Sequence, residues 1–428
     1  MQFDAVMTSG GAVLLGAVAV RAAVAMSTFV KERYQDVVRR RGQTDAFRQK
    51  LLGRPGQPSR AQLAAPAGWQ EPRPFRVVRR VAETPDKTLC SFYLEPADQR
   101  PLPAYRPGQF LSFVIPLNEN GATLRRCYSL SEAPAEMQGT YRVSVKRILP
   151  AGAPPGRVSN YFHDQLSEGQ IVNVAPPAGA FTLDQTSNRP VVLIAGGVGI
   201  TPLLSMLNWL AATNSQREIW LFHGVRNRGD HAFRDRIAHL CQTHININCV
   251  TFYSRPTHAC RRGVDFDLEG HVRIEVMKKA LRERNYTFYL CGPPAMMVRL
   301  QADLFGWGVP AEDIKIEKFG APATADARTP ITVAAPPSRK RSDTEFKINF
   351  LRSGKSATWS AGNGSLLELA ELCGINARCS CRAGQCGTCK VRLKSGQIAY
   401  RSQPEAAVEP GTCLPCIAQP ASNLSIDM

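Results

Sequence analysis

Four cysteines in the C-terminal part of the chain have a spacing that suits metal ligation. Cys381, Cys386 and Cys389 form a C-x4-C-x2-C run, and Cys416 follows in a Pro-Cys-Ile-Ala context. Thiolates at this spacing hold a [2Fe–2S] cluster, for which one tight loop supplies three ligands and a distant segment supplies the fourth. The small residues of the loop let backbone N–H groups approach the sulfur atoms. The pattern therefore predicts a one-electron carrier in this part of the chain.

The cluster prediction leaves one ligand ambiguous and competes with two other kinds of site. Structural zinc sites use paired C-x2-C knuckles, which the wider gap in this run does not match. A disulfide framework would require an oxidising compartment. Cys413 and Cys416 both stand near the position of the fourth ligand, and Cys416 is preferred because Cys-Ile-Ala-Gln-Pro resembles the ending of plant-type ferredoxins. Cys373, Cys379 and Cys413 remain as additional thiols. Residues 344–428 resemble a plant-type ferredoxin domain, which implies a β-grasp fold.

The length, the cysteine positions and the charge of the chain limit which classes of protein it can belong to. The 428 residues suffice for two to four domains. Six cysteines outside the C-terminal group have no paired spacing, which predicts reduced thiols in an intracellular protein. They are Cys90, Cys127, Cys241, Cys249, Cys260 and Cys291. The net charge is +18, and residues 21–80, with 14 Lys/Arg against four Asp/Glu, contribute +10 of it. A basic run beside an apolar segment favours an anionic membrane surface over nucleic acid, for which no fold signature is present.

The apolar segment next to this basic run predicts an N-terminal helical membrane anchor within residues 1–52. Residues 11–30 have the length of one membrane crossing. Arg21 opposes this prediction, since a charge at the helix centre costs about 2.5–3.5 kcal/mol. Cations follow the segment and none precedes it, which would place the N-terminus outside and the catalytic domains in the cytoplasm. The alternatives are an amphipathic surface helix and a helix docked on a partner subunit.

The next part of the chain has the pattern of an antiparallel barrel. Residues 75–185 alternate short β-rich runs, such as residues 109–115 and 141–146, with Pro/Gly turns. A Pro/Gly/Ala-rich linker at residues 53–74 precedes them.

Two motifs within this predicted barrel carry groups that can bind phosphate and an aromatic ring. Arg126 is a fixed cation suited to phosphate, Tyr128 offers an aromatic face, and Ser129 is a small donor and acceptor. Gly156 and Ser159 are expected to open a helix whose N-terminus can hold a second phosphate. Each motif alone is weak, because an Arg and a Tyr on a barrel strand are usually surface and core residues.

Residues 186–320 alternate buried-strand runs with helical patterns, which predicts a parallel sheet with crossover helices. The first strand breaks at a Gly-Gly-Val-Gly turn, after which Thr201 and Pro202 are expected as the N-cap and first residue of a helix. The free N–H groups of such a turn can hold a pyrophosphate. The turn lacks the full G-x-G-x-x-G fingerprint, so by itself it is insufficient to identify a dinucleotide site.

The order of these motifs resembles the ferredoxin–NADP reductase superfamily. Arg-x-Tyr-Ser comes first, and Gly-Gly-Val-Gly-Ile-Thr-Pro, Cys-Gly-Pro-Pro and Glu-x-Phe-Gly follow. The resemblance implies that Arg126 holds a flavin phosphate, Tyr128 packs on the flavin, and Ser129 lies near flavin N5. It also implies that Gly156 and Ser159 bind the remaining flavin phosphate, and that Glu317 and Phe319 lie beside the flavin ring. For the nucleotide, it implies that the dinucleotide pyrophosphate is lined by Gly197, Gly199 and Thr201. Cys291 and Gly292 would then lie near the nicotinamide. Ser129, Cys291 and Glu317 are therefore the predicted catalytic residues, although Cys291 also suits a small buried position at a strand end.

Two cofactor choices depend on shorter stretches of sequence. The Ser-Asn-Tyr-Phe-His-Asp run at residues 159–164 resembles flavohaemoglobin-type reductase domains, which use FAD, so FAD is favoured over FMN. Arg226 and Arg228 suit either the 2′-phosphate of NADPH or a solvated loop, which leaves NADH and NADPH both open.

Barrel, nucleotide domain and ferredoxin in this order resemble reductases of the phthalate dioxygenase type. The arrangement implies an enzyme that passes electrons from NAD(P)H through flavin to the cluster and on to an oxygenase, hydroxylase, desaturase or other redox protein at the membrane. The Pro/Ala-rich linker at residues 321–343 would let the ferredoxin domain move between flavin and acceptor. The alternative is a redox sensor or interaction subunit with little turnover of its own.

Overall fold

The computed structural model describes residues 69, 71–98, 100–116, 123–134, 139–150, 155–281, 285–319, 345–360, 363–375, 377, 379, 382–384, 387–404 and 406–428. The predicted anchor, most of the first linker, the second linker, Cys381 and Cys386 lie outside these residues. None of the helices in the described part of the chain combines the length and the apolar character that a membrane crossing requires.

The first sheet is antiparallel, as predicted. Its described strands have the order β4-β3-β6-β1-β2-β5. They are β1 (Arg73–Ala82), β2 (Leu89–Pro96), β3 (Phe110–Pro116), β4 (Thr123–Ser129), β5 (Tyr141–Lys146) and β6 (Ile171–Val174). Leu130, directly after β4, bridges to Val143 of β5, so the two edge strands meet and the sheet closes. Phe162 of helix α1 (Arg157–Asp164) packs its ring against Phe92 and Phe113 in the core of this barrel.

The second sheet is parallel, as predicted, and its described strands have the order β10-β9-β8-β7-β11-β12. They are β7 (Val191–Gly196), β8 (Ile219–Val225), β9 (Ile247–Tyr253), β10 (Leu268–Glu269), β11 (Thr287–Gly292) and β12 (Ile314–Lys318). Its described helices are α2 (Ile200–Ala212), α3 (Arg234–Thr243), α4 (Ile274–Ala280) and α5 (Pro294–Gly306). β7 and β11 are buried at every residue because both faces of the sheet are covered. The strand order reverses at β7, which creates a crevice beside the carboxyl ends of β7 and β11.

The start of α2 differs from the prediction. The chain leaves β7 through a 3₁₀ turn at Gly197–Gly199, and α2 begins at Ile200 with Gly199 as its N-cap. Thr201 therefore lies inside the first helical turn, where its hydroxyl donates a hydrogen bond to the Val198 carbonyl at 3.1 Å. The prediction of Thr201 as N-cap was wrong because the 3₁₀ turn is continuous with the helix.

The third sheet is mixed, and its described strands have the order β14-β13-β19-β15-β17. They are β13 (Phe346–Phe350), β14 (Lys355–Trp359), β15 (Val391–Ser395), β17 (Thr412–Cys413) and β19 (Leu424–Ile426), with β16 (Ile398–Tyr400) and β18 (Ala418–Pro420) forming a separate pair. Helix α6 (Leu366–Leu372) begins with a capping box, in which Ser365 and Glu368 bind each other's backbone N–H groups. The buried leucines of α6 and Phe350 of β13 belong to one apolar core.

The barrel and the parallel-sheet domain are joined through the segment that follows β4. The Ser205 hydroxyl on α2 donates a hydrogen bond to the Glu132 carbonyl at 2.6 Å. The Glu132 carboxylate in turn pairs with Arg142 at 3.0 Å, and both side chains are buried. Pairing and hydrogen bonding compensate the cost of burying these charges, so this network fixes the two domains against each other.

The fold brings together one pair among the six scattered cysteines. The sulfur atoms of Cys241 of α3 and Cys249 of β9 lie in direct contact. Their separation of eight residues matches no common motif, and the fold brings them together because α3 leads directly into β9.

Candidate functional site

A central cavity of about 480 Å³ lies where the three sheets meet. From the barrel it is lined by Phe110, Arg126, Cys127, Tyr128, Ser129, Ser144, Lys146, Ile148, Gly156, Arg157, Val158 and Ser159. The parallel-sheet domain contributes Val198, Thr201, Glu317, Lys318 and Phe319, and the C-terminal domain contributes Ser365, Glu368, Arg382 and Cys416. Residues predicted from separate motifs thus face one space.

Strand β4 presents the Arg-x-Tyr-Ser motif to the central cavity. The ring of Tyr128 packs edge-on against Phe113 and Phe162, with centroids 5.8 and 5.0 Å away, which fixes the orientation of its face. Ser129 ends the strand and is buried. The Arg126 guanidinium lies 3.0 Å from the Glu368 carboxylate, so the cation predicted to hold phosphate also contacts the C-terminal domain.

The N-terminus of α1 forms the second polar wall of the central cavity. Gly156 is its N-cap, and a Cβ there would lie 2.6 Å from the Ser159 hydroxyl and 2.9 Å from Ile148. Glycine is therefore required for this close approach. The Ser159 hydroxyl donates to the Gly156 carbonyl at 3.0 Å, which holds it beside the helix end. Backbone N–H groups of a first helical turn have no partner within the helix and can bind an anion.

Glu317 of β12 places a carboxyl group at the central cavity. Its Oε2 atom is buried and has no hydrogen-bond partner among the described residues. Burial raises the pKa of Glu317 to about 8, so the group is mostly protonated at neutral pH. A bound flavin would give this orphaned group a neighbour. The cavity thus offers a cation, a helix N-terminus, an aromatic face and a neutral carboxyl group, and these residues fit a flavin.

A second cavity of about 520 Å³, the strand-end cavity, opens at the carboxyl ends of β7, β8, β9 and β11. Its lining includes Gly197 of the 3₁₀ turn, Arg226 after β8 and Met296 of α5. The crevice at the carboxyl ends of parallel strands is where such sheets bind dinucleotides, and Gly197 gives it an open backbone turn. Lys146 and Val198 line both cavities, so the two spaces meet at these residues.

The remaining predicted nucleotide residues lie behind the strand-end cavity or outside it. A Cβ on Gly199 would lie 2.2 Å from the Cys291 carbonyl oxygen, so glycine lets the turn pack against β11. Gly292 likewise approaches the Gly196 backbone. The Cys291 side chain is fully buried, and this burial raises the pKa of its thiol well above the ordinary value. Thr201, expected at the pyrophosphate, lines the central cavity instead.

Two of the predicted cluster ligands lie side by side. The Sγ atoms of Cys389 and Cys416 are 3.2 Å apart, and both side chains are buried. Two thiolates bound to one metal ion at about 2.3 Å can be at most about 4.6 Å apart, so this pair can share an iron. Cys413 lies on β17 and is fully buried in the apolar core. No group of three metal-ligating side chains occurs within the described residues, which exclude Cys381 and Cys386.

Comparison with known proteins identifies the architecture. Residues 193–301 match the family described as oxidoreductase NAD-binding domain, and residues 349–421 match the family described as 2Fe-2S iron-sulfur cluster binding domain. A flavohemoprotein of Bordetella pertussis is 41% identical over 275 residues, which cover 64% of this chain and 67% of that protein. The chain belongs to the ferredoxin–NADP reductase superfamily. It is an oxidoreductase with flavin and NAD(P)H domains and a C-terminal plant-type [2Fe–2S] domain, as the motif order predicted.

Solved structures of this superfamily agree with the assignment. Phthalate dioxygenase reductase is 27% identical with a TM-score of 0.60, and the match covers 83% of this chain and 98% of that chain. The FAD/NAD-binding domain of nitric oxide dioxygenase from Vibrio cholerae is 30% identical with a TM-score of 0.52, over 59% of this chain and all of that chain. The chain is thus a reductase-type electron-transfer protein similar in arrangement to phthalate dioxygenase reductase.

Several residues of the central cavity were not predicted from the sequence. Lys146, Arg157 and Lys318 add cations to it, and Glu368 and Arg382 reach it from the C-terminal domain. Two of them could have been predicted from neighbouring residues. Arg157 lies between the two residues predicted to open the helix, and Glu368 belongs to a Ser-x-x-Glu pattern that is typical of a capping box. No signal in the sequence indicated that the capping box would face the barrel.

Proposed function

We propose that this protein takes a hydride from NAD(P)H, passes electrons through FAD to the [2Fe–2S] cluster, and delivers them singly to a partner oxygenase, hydroxylase or other redox protein at the membrane. The main support for this proposal is that a single cavity is lined by the barrel motifs, by the parallel-sheet domain and by Cys416, one of the predicted cluster ligands.

The contact between the two cavities supports the first step. Lys146 and Val198 line both spaces, so a nicotinamide entering from the strand-end cavity would meet a flavin ring in the central cavity. Bound flavin supplies the conversion between a two-electron hydride and single electrons. Ser129 and the protonated Glu317 carboxyl group would orient the ring, and Arg126 would hold its phosphate.

The position of Cys416 supports the second step. Cys416 lines the central cavity, and its sulfur lies 3.2 Å from that of Cys389, so the flavin site and the cluster site share a wall. Phthalate dioxygenase reductase, described as a modular structure for electron transfer from pyridine nucleotides to [2Fe–2S], has a similar arrangement.

The choice of FAD rests on sequence likeness. The relatives at 41% and 30% identity are a flavohemoprotein and a domain described as FAD/NAD-binding. Extraction of the bound flavin and its separation from FMN and FAD standards tests this choice.

Anaerobic stopped-flow with NAD(P)H tests the electron route. We expect flavin absorbance to bleach first and cluster absorbance to follow, with cytochrome c reduced under turnover. Ser129→Ala should slow the first phase and leave the cluster spectrum unchanged. Ser167→Ala is the control, because Ser167 lies in the same barrel domain, shortly before β6, and lines neither cavity. A flavin that is reduced while the cluster stays oxidised would contradict the proposed route.

The proposed membrane location rests on the sequence of residues 11–30 and the cations that follow them. Deleting residues 1–30 should move the protein from the membrane to the soluble fraction and leave NAD(P)H oxidation intact. A truncated protein that stays with the membrane would contradict the anchor. The acceptor can be identified by gentle solubilisation of membranes that contain a C-terminally tagged protein, followed by analysis of what co-purifies in stoichiometric amount.

A further inference from the structure

The Asp230 carboxylate pairs with two cations that line the strand-end cavity, Arg226 and Lys146. Arg226 leaves the end of β8, and its Nε and Nη2 atoms lie 2.7 and 2.9 Å from the two oxygens of Asp230. Arg226 is 62% exposed, whereas the Asp230 side chain is only 15% exposed. Both residues line the cavity. The carboxylate is therefore set into the cavity wall, and it holds the more exposed guanidinium in place.

The position of Asp230 is fixed by the local backbone and by a second cation. It ends a 3₁₀ turn at Arg228–Asp230, which Asn227 caps by accepting a hydrogen bond from the Gly229 N–H at 2.9 Å. Lys146, which reaches across from the barrel, places its Nζ atom 3.6 Å from Asp230. Arg226 and Lys146 thus share one negative charge.

The other arginine of this loop is also paired. Arg228 lies 3.8 Å from Asp265, and Arg234 lies closer to the same carboxylate, at 3.1 Å. Neither Arg228 nor Asp265 lines the strand-end cavity. Of the two arginines that sequence analysis offered for a 2′-phosphate, only Arg226 faces the cavity, and Asp230 occupies its guanidinium in bidentate geometry.

We propose that Asp230 makes this protein select NADH over NADPH. A phosphate monoester carries about −1.5 to −2 charges at pH 7, and in this pocket it would lie against a fixed carboxylate. The 2′-hydroxyl of NADH can instead donate a hydrogen bond to that carboxylate. Without the Asp230 charge, Arg226 and Lys146 become available to bind phosphate, for which a planar guanidinium is well suited.

The test compares both nucleotides on the full-length flavin-loaded protein, with ferricyanide as acceptor so that the cluster is not required. The proposal rests on the proposed function. We expect kcat/KM for NADH to exceed that for NADPH at least tenfold. Asp230→Asn should raise kcat/KM for NADPH at least tenfold, mainly by lowering KM. Asp98→Asn is the matched control, since Asp98 pairs with Arg73 in the same bidentate geometry and lies outside both cavities.

A reversal and a binding measurement complete the test. Adding Arg226→Ala to Asp230→Asn should remove the gained NADPH activity. Calorimetry with 2′,5′-ADP and 5′-AMP should show that Asp230→Asn tightens only the 2′-phosphorylated ligand, a readout that does not depend on turnover. A wild-type preference for NADPH, or an unchanged ratio in Asp230→Asn, would overturn the role of Asp230 and leave the proposed function standing. Failure to oxidise either nucleotide would overturn both.

Discussion

The sulfur atoms of Cys389 and Cys416 lie 3.2 Å apart although the two cysteines are 27 positions apart in the sequence. Strands β15, β16 and β17 lie between them, and after β17 the chain is again close to Cys389. Cys416 also borders the central cavity, which connects the predicted cluster site with the residues predicted to hold flavin.

This pair leads to a prediction about the fourth cluster ligand. Cys416→Ser should abolish the [2Fe–2S] visible and EPR spectra and cytochrome c reduction, because Ser would remove one of the two adjacent thiolates. Cys413→Ser is the matched control, since Cys413 is fully buried on β17 in the apolar core, and its cluster spectrum should persist. The opposite pattern would assign the ligand to Cys413. NAD(P)H–ferricyanide activity should survive in both variants.

We expect the ion pair between Arg126 and Glu368 to help hold the C-terminal domain at the flavin site. Glu368→Gln keeps the capping box of α6, in which Gln can replace Glu, but removes the charge facing Arg126. Such a partly exposed pair contributes about 0.2–1 kcal/mol. We therefore expect flavin-to-cluster transfer to slow about two- to fivefold in stopped-flow, with flavin reduction unchanged.

Asp427→Asn is the control for this prediction, since it removes an ion pair with Arg352 in the same domain, and Arg352 is 72% exposed. Equal slowing in both variants would mean that the Arg126–Glu368 pair has no specific role in docking.

Glu317 predicts a pH dependence of flavin affinity. Burial raises the pKa of Glu317 to about 8, so the carboxyl group is neutral below this pH and charged above it. If flavin binds the neutral form, affinity should weaken by up to about tenfold for each pH unit above 8, by linkage. Glu317→Gln should remove this dependence in fluorescence titrations between pH 7 and 10. Glu312→Gln, at an exposed site before β12, should retain it. A flat profile for the unmodified protein would contradict the role of Glu317.

Two buried histidines lead to a prediction of acid sensitivity for the parallel-sheet domain. The rings of His223 of β8 and His231 pack edge to face with centroids 5.3 Å apart, and the Tyr253 hydroxyl lies 3.0 Å from His231 Nδ1. Burial lowers the pKa of His223 to about 4, and burial together with the nearby His223 lowers the pKa of His231 further. The unfolded chain therefore takes up protons more readily, and the free energy of unfolding should fall as pH drops below about 6.5.

For His223 alone the loss should reach about 2 kcal/mol at pH 5. Denaturant titrations at pH 7.5 and 5 measure it. His223→Gln should show a smaller loss between the two pH values, whereas His239→Gln, on the exposed face of α3, should behave like the unmodified protein. An identical loss in all three proteins would show that other groups cause it.

The sequence by itself determined the elements, the motif order and the superfamily. Period-two runs predicted β3 and β5, and continuous apolar runs predicted β7, β8 and β11, because these patterns depend on which faces of a strand are buried. The cysteine spacing predicted a cluster domain, which the family match confirmed, since ligand geometry constrains neighbouring residues directly. The helix boundary at Thr201 and the contact between Cys241 and Cys249 escaped prediction, because each depends on how the backbone turns.

Only the tertiary structure decided which distant residues face one another. Glu368 gave a helix-cap signal in the sequence, and folding turned its carboxylate toward Arg126 on the barrel. Asp230 gave no signal, yet its carboxylate neutralises an arginine that the sequence had left open for a 2′-phosphate. The local sequence pattern reflects which residues are buried and which backbone conformations they prefer. Charge pairing across domains depends instead on distances that arise only when the separate sheets pack together.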